Sequence, residues 1–237
     1  KCEYSKDKVE FFGYTFSGDG ITPDPKKIED IINLQTPTSA SEVRSLLGMT
    51  NYCSRFIPDY ATKTEPLRKL THKNQPWEWT PRHDSAVNEL KDALVKGPVT
   101  AYFDPVKDTE LSVDASPVGL AAILSQKDQE TGTSHIITYA SRSLTETEQR
   151  YSQTEREALG IVWACEHLHL YIYGKPLTVY TDHKPLVSIF GNPSSKPPPR
   201  IERWALRLQP YQLTVHYRKG DGNPADYLSR HPSKQIT

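Results

Sequence analysis

The chain has 237 residues, 36% of them hydrophobic and 24% charged, which is ordinary for a globular protein and enough for one large or two modest cores. Lysine plus arginine and aspartate plus glutamate each number 29, so the net charge of zero does not advertise a nucleic-acid partner, and the distribution of charge carries more information than its sum. No apolar run approaches membrane-spanning length and the N-terminus lacks a signal-peptide pattern, so nothing supports secretion or a membrane partner; Cys2, Cys53 and Cys165 have no metal-ligand spacing and fit a reducing compartment as free thiols.

The chain divides near Gly97-Pro98, a breaker pair after a helical stretch. Before it, Val9 to Phe16 with Gly18-Asp19-Gly20 has the pattern of a hairpin, and Lys26 to Leu34 that of a short helix ended by Pro37. Ser39 and Glu42 form a capping box that opens a helix on which Val43, Leu46, Leu47, Thr50, Cys53 and Phe56 recur at helical spacing. Thr80-Pro81 starts another, with Val87, Leu90 and Leu94 on its inner face. This half offers basic side chains such as Arg44, Arg55, Lys63 and Arg68, and no cluster of acids.

After Pro98 the expected order is strand, hairpin strands, helix, strand, short helices, strand and helix, the signature of an α/β mixed sheet covered by helices. Four carboxylates sit where those elements begin or end. Asp114 closes Leu111-Ser112-Val113-Asp114 and Asp182 closes Leu177 to Asp182, although either alone also fits a turn residue. Asp226 follows Asn223-Pro224, an N-cap and first-turn proline, so it also fits a dipole-favoured first-turn acid. Around Glu157 two capping boxes compete, Ser152 with Glu155 and Thr154 with Glu157; if Ser152 caps the helix, Glu157 is free to face the sheet, on the border of the stripe of Ala158, Ile161, Val162, Cys165 and Leu168. Convergence of the four would make a hard, oxygen-lined pocket suited to Mg²⁺ or Mn²⁺.

Between Lys196 and Lys219 the bases Lys196, Arg200, Arg203, Arg207, Arg218 and Lys219 stand against Glu202 alone, interleaved with Trp204 and Tyr211. That pattern fits either a solvated face or a phosphate-tracking surface with a planar platform. Gln212 to Arg218 alternates, which puts Thr214, His216 and Arg218 on one face of a strand.

The segments LSVDASPVGLAAILSQ, YASRSLTETEQRYSQTEREALGIVWA, GKPLTVYTDHKPL and RIERWALRLQPYQLTVHYRKGDGNPADYLSRHP resemble, in that order, the ribonuclease H domain of gypsy-type LTR retrotransposon polyproteins. Upstream, KVEFFGYTFSGDGI and SASEVRSLLGMTNYCSRFIPDYATKTEPLRKL are similar to the end of the palm, the thumb and the connection of the same reverse transcriptases. The resemblance covers nearly the whole chain and departs from the common pattern at His169-Leu170.

The resemblance implies three parts: residues 1–97 as the end of the reverse transcriptase palm, thumb and connection, 98–232 as a ribonuclease H domain, and 233–237 as a tail. It implies two Mg²⁺ or Mn²⁺ ions held by Asp114, Glu157, Asp182 and Asp226. It also implies cleavage of the RNA strand of RNA–DNA hybrids, with Arg142, Arg200, Arg203, Arg207, Arg218 and Lys219 as nucleic-acid contacts. His216 precedes Asp226 by a spacing similar to that of the active-site histidine of retroviral ribonucleases H, so a proton shuttle and a solvated strand histidine both fit it. Residues 1–97 are expected to grip the duplex and not to contribute chemistry. The partners implied are the hybrid and the rest of the polyprotein, its polymerase domain and an integrase, in an intracellular, cytoplasmic virus-like particle or the nucleus. No Tyr/Phe-x-Asp-Asp segment occurs, so polymerase activity is not expected of this chain. Two alternatives share the fold: a catalytically silent nucleic-acid-binding scaffold and an integrase-like nuclease.

Overall fold

The computed structural model describes residues 6–97, 99–192 and 194–219. Lys8–Phe11 (β1), Tyr14–Ser17 (β2) and Gly20–Pro23 (β3) form an antiparallel meander, so the single hairpin expected over Val9–Phe16 is two. The extra turn is Phe12-Gly13, with φ of 46° and 71°, the consecutive positive values that a two-residue hairpin turn demands. At Gly13 it is the positive φ that selects glycine, because the nearest atom a Cβ would meet, Lys27 Nζ at 2.6 Å, is the end of a flexible side chain that can move aside.

Helix α1 (Pro25–Ile32) starts where Asp24 accepts from the Lys26 N–H at 2.9 Å. In α2 (Ala40–Tyr52) Ser39 caps as expected, but the Glu42 carboxylate accepts from Thr38 and not from Ser39. A 3₁₀ turn (Ser54–Phe56) leads to α3 (Tyr60–Lys69), and α4 (Pro81–Val95) opens with a box in which His83 takes the place usual for Glu. Val43, Leu46, Cys53, Phe56, Leu67 and Leu90 join in one buried cluster.

The second half consists of β4 (Asp108–Ala115), β5 (Gly119–Lys127), β6 (Ser134–Ser143), α5 (Glu146–Gln149), α6 (Gln153–His167), α7 (His169–Ile172), β7 (Pro176–Thr181), α8 (Pro185–Gly191), α9 (Pro199–Leu208) and β8 (Gln212–Tyr217). Its sheet runs β6-β5-β4-β7-β8, antiparallel from β6 to β4 and parallel from β4 to β8. This is the mixed sheet covered by helices that the element order predicts. One face carries Leu111, Val113 and Val179, packed with Ala158, Ile161 and Val162 of α6 and Trp204 of α9. Cys165 is fully buried there, as its place on the apolar stripe predicts.

Side chains alternate across a strand, so Ser112, Asp114, Ile123, Tyr139 and Tyr180 stand on the other face. There Ile123, Ile136 and Tyr139 form a small buried cluster, and α3 with the 3₁₀ turn packs on β5 and β6. Helix α3 and the 3₁₀ turn therefore help to cover the sheet, a part that the gripping role expected of the N-terminal half from sequence does not include.

The basic run of α9 is largely engaged within the chain. Arg200 pairs with Glu155 at 2.5 Å and Arg207 makes a bidentate pair with Glu166 at 2.6 and 2.8 Å, both acids lying on α6. Trp204, 8% exposed, fills the interface between these pairs. Apolar burial dominates there: Trp204→Ala is expected to cost about 3 kcal/mol or more, and Arg207→Ala under about 1 kcal/mol because an exposed pair is screened. Urea unfolding of both variants measures the difference, and equal losses would show that the ion pairs hold α9.

Candidate metal centre

Register brings the first two acids together. Ser112 pairs with Tyr180 across the parallel β4–β7 ladder, so two residues on, Asp114 and Asp182 lie side by side at the C-terminal ends of their strands. The third acid comes from α6. Ser152 caps that helix and Glu155 closes the box, accepting from the Ser152 N–H at 3.0 Å, which leaves Glu157 free to turn inward; it is 1% exposed. Oxygen atoms of Asp114, Glu157 and Asp182 lie within 4.8 Å of one another.

The approach of α6 depends on Gly160, one turn past Glu157. A Cβ there would stand 2.9 Å from Val113 Cγ1, closer than carbon atoms pack. At the start of the helix Gln153 Nε2 donates to Glu157 Oε1 at 2.6 Å and to the Ala115 carbonyl at 3.4 Å, which pins the helix end to the end of β4. On the far side, Thr154 Oγ1 and His183 Nε2 lie 2.9 Å apart, which ties α6 to the residue after Asp182.

Electrostatically the cluster is unbalanced. Burial raises the pKa of Glu157 to about 8, the charges of Asp114 and Asp182 push it in the same direction, and the Gln153 hydrogen bond opposes them. Asp114 is also raised, by burial of its surroundings first and then by the charges of Asp59 and Asp182, while the Ala115 N–H opposes. Glu157 Oε2 is buried and has no hydrogen-bond partner among the described residues. An orphaned carboxylate oxygen among like charges is a group that a bound cation would satisfy. A set of three oxygen donors suits a hard divalent ion, so these residues fit Mg²⁺ or Mn²⁺. The fourth expected acid, Asp226, lies outside the described residues.

Beside the acids is a cleft of about 130 Å³ lined by Ser112, Asp114, Tyr180, Asp182, Arg218 and Lys219. The Arg218 backbone N–H donates to the Thr181 carbonyl at 2.9 Å, and its guanidinium lies 3.3 Å from the Tyr180 ring centroid. His216 pairs with Tyr180 across the ladder, ring centroids 6.0 Å apart, and is exposed outside the residues that line the cleft. Arg142 makes a bidentate pair with Glu148, 2.8 Å at each contact, whose hydrogen bonds hold Glu148 down to about 2. Arg203 is exposed on α9, whereas Arg200 and Arg207 are paired with α6. The sequence reading missed Gln153 and Gly160 and weighed Thr154 only as a helix cap; the i,i+4 spacing of Gln153 to Glu157 and a glycine inside an apolar helix were the available signals.

The raised pKa has a sign. Without a divalent ion the folded chain binds more protons at Glu157 than the unfolded chain between about 4.5 and about 8, so stability falls as pH rises through that window. Glu157→Gln is expected to flatten that fall and to raise the melting temperature at pH 8 in the presence of a chelator. Thermal melts across the window test it, and parallel curves for the two proteins would show that Glu157 ionises normally.

Comparison with known proteins agrees with this geometry. Residues 104–211 match the family described as the RNase H-like domain found in reverse transcriptase. The Tf2-3 and Tf2-4 transposon polyproteins of Schizosaccharomyces pombe are each 35% identical over 233 residues, 97% of this chain; the chain spans 17% of their length. Two foamy viral protease-reverse transcriptase structures share its fold. One, in complex with RNA/DNA hybrid, has a TM-score of 0.71 at 22% identity, covering 91% of this chain and 30% of that one. The other, the dRH form with double-stranded DNA, has a TM-score of 0.71 at 23% identity, covering 90% and 38%. Residues 104–211 thus match the RNase H-like domain found in reverse transcriptase, in a chain similar along nearly all its length to transposon polyproteins.

Proposed function

We propose that the chain is a metal-dependent ribonuclease H that cleaves the RNA strand of RNA–DNA hybrids as part of a retrotransposon reverse transcriptase. The observation that carries this reading is the buried, unpartnered Glu157 Oε2 facing Asp114 and Asp182 at the ends of two parallel strands. One foamy viral relative in fold was solved with an RNA/DNA hybrid, which supports the choice of substrate.

Asp114, Glu157 and Asp182 would hold the ions, with Asp226 as the proposed fourth ligand. A pair of divalent ions supplies activation of a water and stabilisation of the departing 3′ oxygen. The other residues arrange and orient. Gln153 fixes one oxygen of Glu157 so that the other stays turned to the cluster. Arg218, stacked on Tyr180 in the acid-lined cleft and held at 3.9 Å from the Glu110 carboxylate, is the proposed contact to a phosphate of the RNA strand, which would have to share it with Glu110. His216, on the same face of β8 as Arg218, is the proposed proton shuttle, and the exposed Arg203 a duplex contact. Preference for RNA would come from 2′-hydroxyl contacts and duplex shape. Residues 1–97, proposed as the end of the palm, thumb and connection, supply grip on the duplex; the rest of the polyprotein supplies polymerisation within an intracellular particle.

The test is incubation of the purified chain with a labelled RNA–DNA hybrid and Mg²⁺ or Mn²⁺. Asp114→Asn and Asp182→Asn are each expected to reduce cleavage by roughly a hundredfold or more while hybrid binding persists. Wild-type rates in either variant would remove the assignment, and binding without cleavage in the wild type would favour the silent scaffold. For His216→Ala the expectation is a turnover slower by on the order of tenfold at unchanged metal requirement; single-turnover rates across pH measure it, and an unchanged profile returns His216 to a surface residue.

A further inference from the structure

Helix α3 begins without a cap of its own. Asp59, at its N-cap, lies in the left-handed region (φ 53°, ψ 33°) and makes no capping hydrogen bond with its side chain. The first-turn N–H groups need acceptors from elsewhere. One is supplied by the sheet: the Ala61 N–H donates to Ser141 Oγ of β6 at 2.9 Å. Beside it, Thr62 Oγ1 lies 3.2 Å from Ser116 Oγ.

Both serines are placed to act on Asp114. Ser116 is the residue after β4, two beyond Asp114, and it closes the turn into β5. Its backbone N–H donates to the Gly119 carbonyl at 2.9 Å and its Oγ accepts from the Gly119 N–H at 2.9 Å. Ser141 is in line with Asp114 across the sheet: Ala121 pairs with Asp114 on one side and with Ser141 on the other. Directly paired residues share a face, so the start of α3 is seated on the face that carries Asp114. Asp59 is near enough for its charge to act on Asp114.

We propose that the first turn of α3, through Thr62 on Ser116 and Ala61 on Ser141, is a positioning element that fixes Asp114 for metal binding. The N-terminal half then contributes to the geometry of the centre as well as covering the sheet. This inference rests on the metal-binding part of the function proposed above, and on no part of the cleavage reaction.

The test is Mn²⁺ binding to the full chain by electron paramagnetic resonance titration, with cleavage of the hybrid as a second readout. Thr62→Val removes the hydroxyl at an exposed position and keeps the shape. Its Mn²⁺ dissociation constant is expected to rise roughly threefold to tenfold, the worth of one hydrogen bond, with the melting temperature held within a few degrees. Thr62→Ser should restore the wild-type value, which a loss of packing would not explain. Ser141→Ala, acting through a different contact, is expected to weaken binding similarly. Cleavage by Thr62→Val should lag at low Mn²⁺ and reach the wild-type rate at saturating Mn²⁺. Unchanged Mn²⁺ affinity in both Thr62→Val and Ser141→Ala would overturn the proposal. A wild-type chain that binds no Mn²⁺ would overturn it together with the metal reading, whereas one that binds Mn²⁺ without cleaving would sink only the proposed reaction and leave the positioning result standing.

Discussion

Parallel pairing of β4 with β7 is the constraint on which the rest depends. Two parallel strands end at the same edge, so acids at equivalent positions become neighbours without any further device. Parallel neighbours cannot be joined by a tight turn, and the connection between these two runs through β5, β6 and the helices α5 to α7. That same crossover lays α6 on the sheet and delivers Glu157 to the acids already paired. One topological requirement therefore supplies three carboxylates from distant points of the sequence.

The cost is electrostatic. Like charges gathered at the edge of an apolar core oppose ionisation, and Glu157, the most buried of them, bears most of it. Precision in the surrounding contacts offsets this strain: Gln153 holds one oxygen, Thr154 and His183 tie the helix to the second strand, and the missing side chain at Gly160 lets the backbone come close. Sites arranged for function commonly carry such locally unfavourable charge, stabilised by packing elsewhere.

Much of this was legible in the sequence because the signals were local. Strand alternation marked the two aspartates, and the competition between Ser152 and Thr154 for the helix cap set out two alternatives for Glu157, of which the structure adopts the Ser152 cap that leaves it free. What escaped depended on neighbours in space. Phe12-Gly13 lies inside the run Val9 to Phe16, upstream of the Gly18-Asp19-Gly20 turn signal that drew the hairpin reading, and the backbone shows the additional turn there. The arginines of α9 were weighed against Glu202, their neighbour in the chain, although Glu155 and Glu166 meet them across the helix pair. The seat of α3 on the sheet joins residues some 54 and 80 positions apart, a separation that no periodicity encodes.

The pairing of α9 with α6 bears on how a polyanion would be received. Arg200 and Arg207 are already neutralised by carboxylates, so a phosphate that recruits either must displace a bound anion and leave an acid unpaired. Such an exchange frees few condensed counterions, because the charge leaving the arginine is fixed to the protein. Affinity for a duplex should then respond to ionic strength more weakly than the tally of arginines suggests. Glu155 adds a link of its own: it closes the cap of the helix that carries Glu157, so drawing Arg200 away alters the charge at the start of that helix. Occupancy of the outer surface and the set of the inner carboxylate are thereby joined through a single residue.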